Sequence, residues 1–185
     1  CENMSVAFIA RSVVVDSANT GVEQAARRAR YQVFETLLGE GDCLLMAHHV
    51  DDQVETALYR MLRGSGPKGL AAIPKARSLG KGVLVRPFLH LARSDLEQYA
   101  EANNLDWVDD ESNQCLDFDR NYLRHEVMPK LALRWPDYRL RMSRSAGLCS
   151  GAADALDELG SMDLQAVGER YEQHGYSIAI DALLG

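Results

Sequence analysis

Residues 48–55 place five ionisable side chains within eight positions, directly after an apolar run. They read His-His-Val-Asp-Asp-Gln-Val-Glu and follow residues 43–47, an apolar run with the length of a strand covered on both faces in a parallel sheet. Open α/β sheets bind ligands at the carboxyl ends of their strands. A carboxylate pair beside an imidazole can hold a divalent cation, orient an amine or move a proton. We therefore expect a functional site here.

Asp52 and Glu55 are spaced to share one face of a helix that begins near Asp51. His48 lies at the exit of the strand, and we expect it to point into the same cleft. The alternative interpretation is that a carboxylate caps the helix, that Glu55 is a surface residue and that the two histidines are incidental.

A second cluster, residues 119–125, reads Asp-Arg-Asn-Tyr-Leu-Arg-His. It places Arg120 and Arg124 four residues apart, on one helical face, where two guanidinium groups can grip a phosphate or a carboxylate. A solvated basic helix face has the same spacing, so both interpretations stay open.

The elements that must position these clusters alternate between strand and helix, which predicts an α/β fold with a parallel sheet. Gly64 to Gly69 and residues 109–119 have the composition or the lack of periodicity of loops, and Pro129 should kink or divide the helix that contains it. The predicted strands are 6–15, 43–47, 83–88 and 177–180, and the predicted helices are 21–38, 51–63, 94–103, 121–133 and 137–160.

The charge is strongly segregated along the chain. A net charge of −7 would by itself argue against a nucleic-acid partner. However, residues 56–94 carry 8 basic and no acidic side chains, and residues 120–144 carry 7 basic and 2 acidic ones. Two basic blocks in an acidic protein indicate a localised anion-binding face, although a solvated surface gives the same pattern.

Composition narrows the class of protein. The chain is 46% hydrophobic and 25% charged, which is typical of a globular protein, and it has no apolar run near the roughly 20 residues of a membrane span. Its four cysteines are scattered without Cys-x-x-Cys spacing, which favours a reduced, cytoplasmic protein. Because the first residue is Cys1, we expect the chain to be part of a longer protein.

Four motifs in register resemble the tRNA(Ile)-lysidine synthetase family, within the N-type ATP pyrophosphatase (PP-loop) superfamily. They are ARRARY (26–31), AHHVDDQVET (47–56), LRGSGPKGL (62–70) and ESNQCLDFDRNYLRHEVMPKL (111–131). The resemblance covers roughly residues 20 to 160.

This resemblance implies a Rossmann-like, adenine-nucleotide α-hydrolase-like sheet followed by a helical linker. It implies a partial catalytic domain at 1–134, a linker at 135–160 and the start of a tRNA-binding domain at 161–185. The implied reaction uses ATP and Mg²⁺ to adenylate the C2 oxygen of the wobble cytidine of an isoleucine tRNA with a CAU anticodon. Free L-lysine then displaces AMP, and codon specificity changes from AUG to AUA.

The resemblance also assigns roles by motif position. The catalytic group would comprise His48, Asp52, Glu55 and Arg27. The nucleotide would contact His48, Asp52, Arg63, Gly64 and Gly66. The tRNA would contact Lys68, Arg120, Asn121 and Arg124. No metal ligands are assigned.

One departure affects activity. The family's Ser-Gly-Gly-x-Asp-Ser loop, which binds pyrophosphate through backbone N–H groups, is absent, and the chain contains no Gly-Gly dipeptide. We therefore expect the 185 residues alone to be inactive or nearly so, with weak, salt-sensitive tRNA binding.

Two other enzyme classes stay open. A tRNA thiolase-like ATP pyrophosphatase would need catalytic cysteines, and a metal-dependent phosphohydrolase would use His48, His49, Asp51 and Asp52 as ligands. A non-enzymatic RNA-binding remnant is the third alternative. The sequence does not fix the oligomeric state, so a homodimer is also open.

Overall fold

The computed structural model describes residues 5–15, 21–108, 115–167, 170–172 and 175–177. The chain divides into two compact units. The first contains Cys1–His48 and Pro74–Phe88, and the second contains His49–Ile73 and Leu89–Gly185. One of the three points at which the chain passes from one unit to the other lies between the two adjacent histidines.

The first unit contains a mixed three-stranded sheet and one helix. Helix α1 spans Val22–Leu37, and strands β1, β2 and β3 span Cys43–Leu45, Ala76–Leu79 and Gly82–Val85. The strand order is β1-β3-β2, with β1 parallel to β3 and β2 antiparallel to β3. The predicted helix and the predicted strands at 43–47 and 83–88 are confirmed, whereas β2 was not predicted.

Two glycines make the β2–β3 turn possible. Gly80 has a φ of +57°, a left-handed conformation that residues with a Cβ rarely adopt. Gly82 opens β3 so close to the neighbouring strand that a Cβ there would lie 2.6 Å from the Asp42 backbone oxygen. Leu79 and Leu84, on either side of this turn, are almost fully buried.

Two strand predictions for this unit are wrong in part. Residues 6–15 have no strand structure and are exposed throughout, since no described strand pairs with them. A β-rich sequence forms a strand only where a neighbour completes its hydrogen bonds. Strand β1 pairs in parallel as predicted, but Cys43 and Leu45 are exposed, so in the described structure the strand is not covered on both faces.

The second unit is mostly helical. Its helices are α2 (Val50–Leu62), α3 (Pro67–Leu70), α4 (Arg93–Ala102), α5 (Asp119–Tyr122), α6 (Met128–Arg134) and α7 (Tyr138–Val167), followed by strands β4 (Arg170–Glu172) and β5 (Gly175–Ser177). The two strands form an antiparallel hairpin. The predicted loop at 64–69 is therefore partly helical, because Pro67 suits the first position of α3.

Proline divides the helical segment 119–134, as predicted. Residues Leu123–Val127 between α5 and α6 form a π-helical turn, and Pro129, which has no N–H to donate, is the second residue of α6. Most of the predicted 109–119 loop, and all but the first residue of the predicted 177–180 strand, lie outside the described residues.

The core of the second unit lies where α2 packs against the segment 119–134 and the first turn of α7. Burial of each large apolar side chain stabilises the fold by about 1.5 to 3 kcal/mol. The buried members are Val54, Leu58, Leu123, Met128 and Tyr138. No helix in the described part of the chain is both long and apolar enough to cross a membrane.

Candidate active site

The first turn of α2 is stabilised by Asp52. Its Oδ2 accepts a hydrogen bond from the backbone N–H of His49, the residue that precedes the helix, at 2.9 Å. This bond satisfies a helix N-terminal donor, and the carboxylate also suits the positive end of the helix dipole. The capping role considered for a carboxylate is therefore confirmed. Asp52 nevertheless keeps its Oδ1 3.8 Å from Arg124.

Glu55 is a buried carboxylate and not a surface residue. Its side chain is 4% exposed, and its Oε2 accepts hydrogen bonds from the Nε and Nη2 of Arg124 at 3.1 and 2.7 Å. Arg120 lies 3.8 Å from the other oxygen, Oε1. Burial raises the pKa of Glu55, and the positive charges of Arg124 and Arg120 offset only part of that effect.

The two sequence clusters therefore meet in three dimensions within the second unit. Asp52 and Glu55 come from α2, Arg120 comes from α5, and Arg124 lies in the π-helical turn that follows. Arg124 directs two N–H groups at one oxygen of Glu55 and also lies beside the carboxylate of Asp52. The cluster can thus orient charged groups, and one of its carboxylates is desolvated.

Asp51 joins three elements of the second unit. Its Oδ2 accepts a hydrogen bond from the Arg93 backbone N–H at the start of α4, at 2.9 Å, and its Oδ1 accepts one from the Nε of Arg139 in α7. Burial alone would raise the pKa of Asp51. The nearby His49 imidazole and the hydrogen bonds from Arg93 and Arg139 instead hold this pKa well below its usual range.

In the first unit, Arg27 stacks on an aromatic ring. Its guanidinium carbon lies 5.1 Å from the centroid of the Tyr31 ring, and that of Arg77, from β2, lies 5.2 Å from the same centroid. The Tyr31 hydroxyl lies 3.4 Å from the sulfur of Met46, just beyond β1. Arg27 is therefore held near the carboxyl end of a strand, by contacts that the sequence motif alone did not reveal.

His48 contacts a buried arginine of the same unit. The Nε of Arg86 donates to the His48 Nδ1 at 3.3 Å, and the Nη1 of Arg86 donates to the Pro74 carbonyl oxygen at 2.6 Å. Arg86 is only 3% exposed. Burial lowers the pKa of Arg86, the hydrogen-bonded Tyr31 side chain offsets part of this effect, and the positive charges of Arg77 and Arg27 add to it.

The predicted nucleotide-contacting loop is exposed and partly paired. Gly64 has a φ of +74° and ends the turn after α2, and Gly66 precedes α3. Arg63 stacks on Tyr59, with 5.4 Å between the guanidinium carbon and the ring centroid. Lys68 forms an ion pair of 2.6 Å with Asp157 of α7, and both side chains are largely exposed.

Two residues of α2 fix this loop to the helix. Arg60 donates from Nη1 to the carbonyl oxygens of Gly69 and Ala72 at 3.0 and 2.9 Å. The buried Gln53 accepts a hydrogen bond from the Ile73 N–H at 2.8 Å. These contacts hold the end of the loop against α2.

Asn121, the fourth predicted tRNA contact, is buried. Its side-chain amide donates to the Cys115 carbonyl oxygen at 2.9 Å and so anchors the segment before α5. Asn121 thus follows Arg120 in the chain, but its side-chain amide is used in this hydrogen bond to the preceding segment.

Sequence reasoning missed Arg86, Arg60, Gln53 and Arg139 as supporting residues. The available signal for Arg86 was a single arginine within the apolar stretch 83–88, since a buried charge usually has a specific partner. The other three residues have no local signal, because their partners lie 9 to 88 positions away.

The described residues contain no cluster of metal-ligating side chains, and their cysteines are unpaired. In the part of the chain that the structure describes, no group of three or more His, Cys, Asp or Glu side chains could hold a metal ion. Both oxygens of Asp51, one of the ligands considered for a phosphohydrolase, accept hydrogen bonds from Arg93 and Arg139. Cys43, Cys115 and Cys149 are free thiols.

A family model described as the PP-loop domain matches residues 1–131, and the chain belongs to this family. The fold is accordingly the Rossmann-like, adenine-nucleotide α-hydrolase type, with ATP as the nucleotide that the family uses.

The chain is also similar to curated proteins named tRNA(Ile)-lysidine synthase. It is 48% identical to that of Coxiella burnetii over 168 residues and 49% identical to that of Pseudomonas aeruginosa over 166 residues; each match covers 90% of this chain and 37% of the relative. It is 44% identical to that of Pectobacterium atrosepticum over 184 residues, which cover the whole chain and 41% of the relative. The chain thus spans about four tenths of the length of these relatives.

Proposed function

We propose that this chain carries catalytic residues of a tRNA(Ile)-lysidine synthase, a cytoplasmic ligase that forms a carbon–nitrogen bond. The observation that carries the proposal is the cluster of Asp52, Glu55, Arg120 and Arg124, which unites two motifs 65 or more residues apart in one charged group. The 44 to 49% identity to proteins of that name supports the proposal.

The proposed reaction has two steps on an isoleucine tRNA with a CAU anticodon. The C2 oxygen of the wobble cytidine attacks the α-phosphate of ATP, and pyrophosphate leaves. The lysine side-chain amine, once deprotonated, then attacks C2; the new C–N bond forms as the C–O bond breaks, and AMP leaves. Adenylation is needed because an unactivated oxygen is a poor leaving group.

Asp52 and Glu55 are proposed to receive the lysine ammonium and its proton. A desolvated carboxylate such as Glu55 has a raised pKa, which suits a group that accepts a proton near neutral pH. Arg124 engages Glu55 through two hydrogen bonds to the same oxygen, Oε2. Arg120, whose side chain is 43% exposed, is the better placed of the two to contact tRNA phosphate as well.

His48 and Arg27 of the first unit are proposed to contact the nucleotide, and Arg63, Gly64 and Gly66 to line its binding loop. Lys68, Arg120, Asn121 and Arg124 are proposed as the tRNA contacts. Mg²⁺ would bind mainly to the ATP phosphates and water, since this ion usually takes only one or two protein carboxylates; Asp52, with one lightly engaged oxygen, fits that requirement. When bound, it would offset phosphate charge during adenylation. The domain limits at 134 and 160 remain part of this proposal.

The test measures ATP-dependent incorporation of labelled lysine into an isoleucine tRNA with a CAU anticodon. It compares the 185-residue chain with one extended upstream by a segment that carries the Ser-Gly-Gly-x-Asp-Ser loop. We expect incorporation only by the extended chain, and a loss of at least about 100-fold on Asp52→Asn. Asp137→Asn, which changes a carboxylate that is 70% exposed, is the matched control and should keep full activity. Folded, ATP-binding extended chain without lysine incorporation would refute the proposal.

Binding of tRNA to the 185-residue chain provides a separate test. We expect the logarithm of the binding constant to fall linearly with the logarithm of salt concentration, and Arg120→Ala to reduce the magnitude of the slope by roughly 1. Binding that is insensitive to salt would exclude the basic blocks as the contact face.

A further inference from the structure

Arg86 is the most deeply buried cation among the described residues of the first unit. It is 3% exposed and lies just after β3, at the same sheet edge at which the chain leaves β1 toward His48. Taking a guanidinium group out of water is strongly unfavourable unless its charge is compensated. A buried position with a purely structural role would normally carry an apolar side chain, as Leu84 of β3 does.

The usual compensation, a carboxylate, is missing from the described surroundings of Arg86. The groups that act on its charge are the side chain of Tyr31, which hydrogen-bonds with Arg86, and two further cations, Arg77 and Arg27. Arg86 also donates hydrogen bonds to the Pro74 carbonyl oxygen at 2.6 Å and to the imidazole of His48 at 3.3 Å. Of the partners of Arg86, His48 is the one that was predicted as a site residue, so this contact links the buried arginine to the site.

Arginine is a pure donor that stays protonated in proteins. A histidine nitrogen that receives a hydrogen bond from it must offer a lone pair. The His48 Nδ1 is thus unprotonated, the ring is neutral, and its proton lies on Nε2.

We propose that Arg86 is a positioning residue that fixes His48 as the neutral Nε2–H tautomer. The Nε2 of His48 then carries the proton. It can donate a hydrogen bond but cannot act as a base. This inference deepens the proposed function and rests on it in one respect: the acceptor for the Nε2–H would be an oxygen of the nucleotide phosphates. The tautomer itself depends only on the structure.

The experiment is two-bond ¹H–¹⁵N correlation spectroscopy on the ¹⁵N-labelled 185-residue chain at pH 7.5. The chain has 5 histidines, and loss of one set of signals in His48→Gln assigns His48. We expect a single form with a protonated Nε2 and an unprotonated Nδ1. In Arg86→Met we expect a mixture of both tautomers. Arg77→Met removes a neighbouring cation and keeps the Arg86–His48 hydrogen bond, so it should leave the single form unchanged.

Two results would overturn the proposal. One is a wild-type His48 whose Nδ1 is protonated, whether or not Nε2 is protonated as well. The other is an Arg86→Met chain that folds and retains the single Nε2–H form. If Arg86→Met does not fold, the wild-type spectrum still decides, and Arg86→Lys, which retains a single charged donor, should keep the Nε2–H form dominant. None of these measurements uses lysine incorporation, so failure of the proposed function would leave this result standing, and the reverse also holds.

Discussion

The buried pair of Glu55 and Arg124 gives the sharpest test of the site. In the substitution Arg124→Met, an unbranched apolar side chain of similar length replaces the guanidinium group. Glu55 then loses both of its short hydrogen bonds, at 2.7 and 3.1 Å, but keeps its burial. The variant therefore isolates the free energy of an uncompensated carboxylate.

The expected loss of folding stability is about 3 kcal/mol at pH 7. Removal of one partner from a buried ion pair generally costs about 3 to 5 kcal/mol. The lower end applies here because the Arg124 side chain is 28% exposed and because Arg120 remains 3.8 Å from the other Glu55 oxygen. The double variant Glu55→Gln, Arg124→Met should recover at least about 1 kcal/mol of this loss, since it buries no charge.

The loss should depend on pH in a defined direction. The pKa of Glu55 is raised above its ordinary value of 4.5 in the folded wild-type protein. Without Arg124, which lowers it, this pKa rises further. The folded variant then binds a proton more tightly than the unfolded chain, so its stability falls as the pH rises from 4.5 through the folded pKa. The difference from wild type should be largest at pH 8 and should shrink toward pH 5.

Urea unfolding followed by circular dichroism at several pH values measures this effect. Lys130→Met is the matched control: it breaks an exposed pair with Glu126 at 3.5 Å and should change stability by no more than about 0.5 kcal/mol. Equal effects of the two substitutions at pH 7, or a loss that grows as the pH falls, would refute the role given to the buried pair.

Three further predictions concern other parts of the fold. Gly147→Ala lies on an open face of α7 and should stabilise the protein by about 0.5 to 1 kcal/mol. Gly82→Ala would place a Cβ against a backbone oxygen and should destabilise the protein by about 1 to 3 kcal/mol. Thermal unfolding of the two variants measures both effects. The pKa of Asp51 is lowered in the folded protein, so Asp51 stabilises the fold above its ordinary pKa of 3.8 and loses that contribution as the pH falls. Asp51→Asn should therefore flatten the acid limb of the curve of stability against pH, as measured by urea unfolding. Arg60→Met should release the loop it holds and increase proteolysis within 63–72 at unchanged α2 helicity, and a digestion pattern identical to wild type would contradict this assignment.

Local patterns in the sequence determined most of the secondary structure and the type of site. Apolar periodicity predicted α1, α2 and the long helix α7, because a helix buries a stripe with a period that is visible in the chain. The motif at 47–56 predicted a family that the match to the PP-loop domain confirms. The strand predicted at 6–15 failed because a strand depends on a partner, which composition does not contain.

Only the tertiary structure decided how charged side chains are used. The sequence treats Glu55 and Arg124 as two polar residues 69 positions apart, and only the packing of α2 against the π-helical turn buries one and pairs it with the other. In the same way, Arg86 and His48 are 38 positions apart, and only the parallel pairing of β1 with β3 brings the residues after both strands to the same sheet edge. Residue types are set locally, but burial and partnership are long-range properties, and these two determine the protonation and orientation on which chemistry depends.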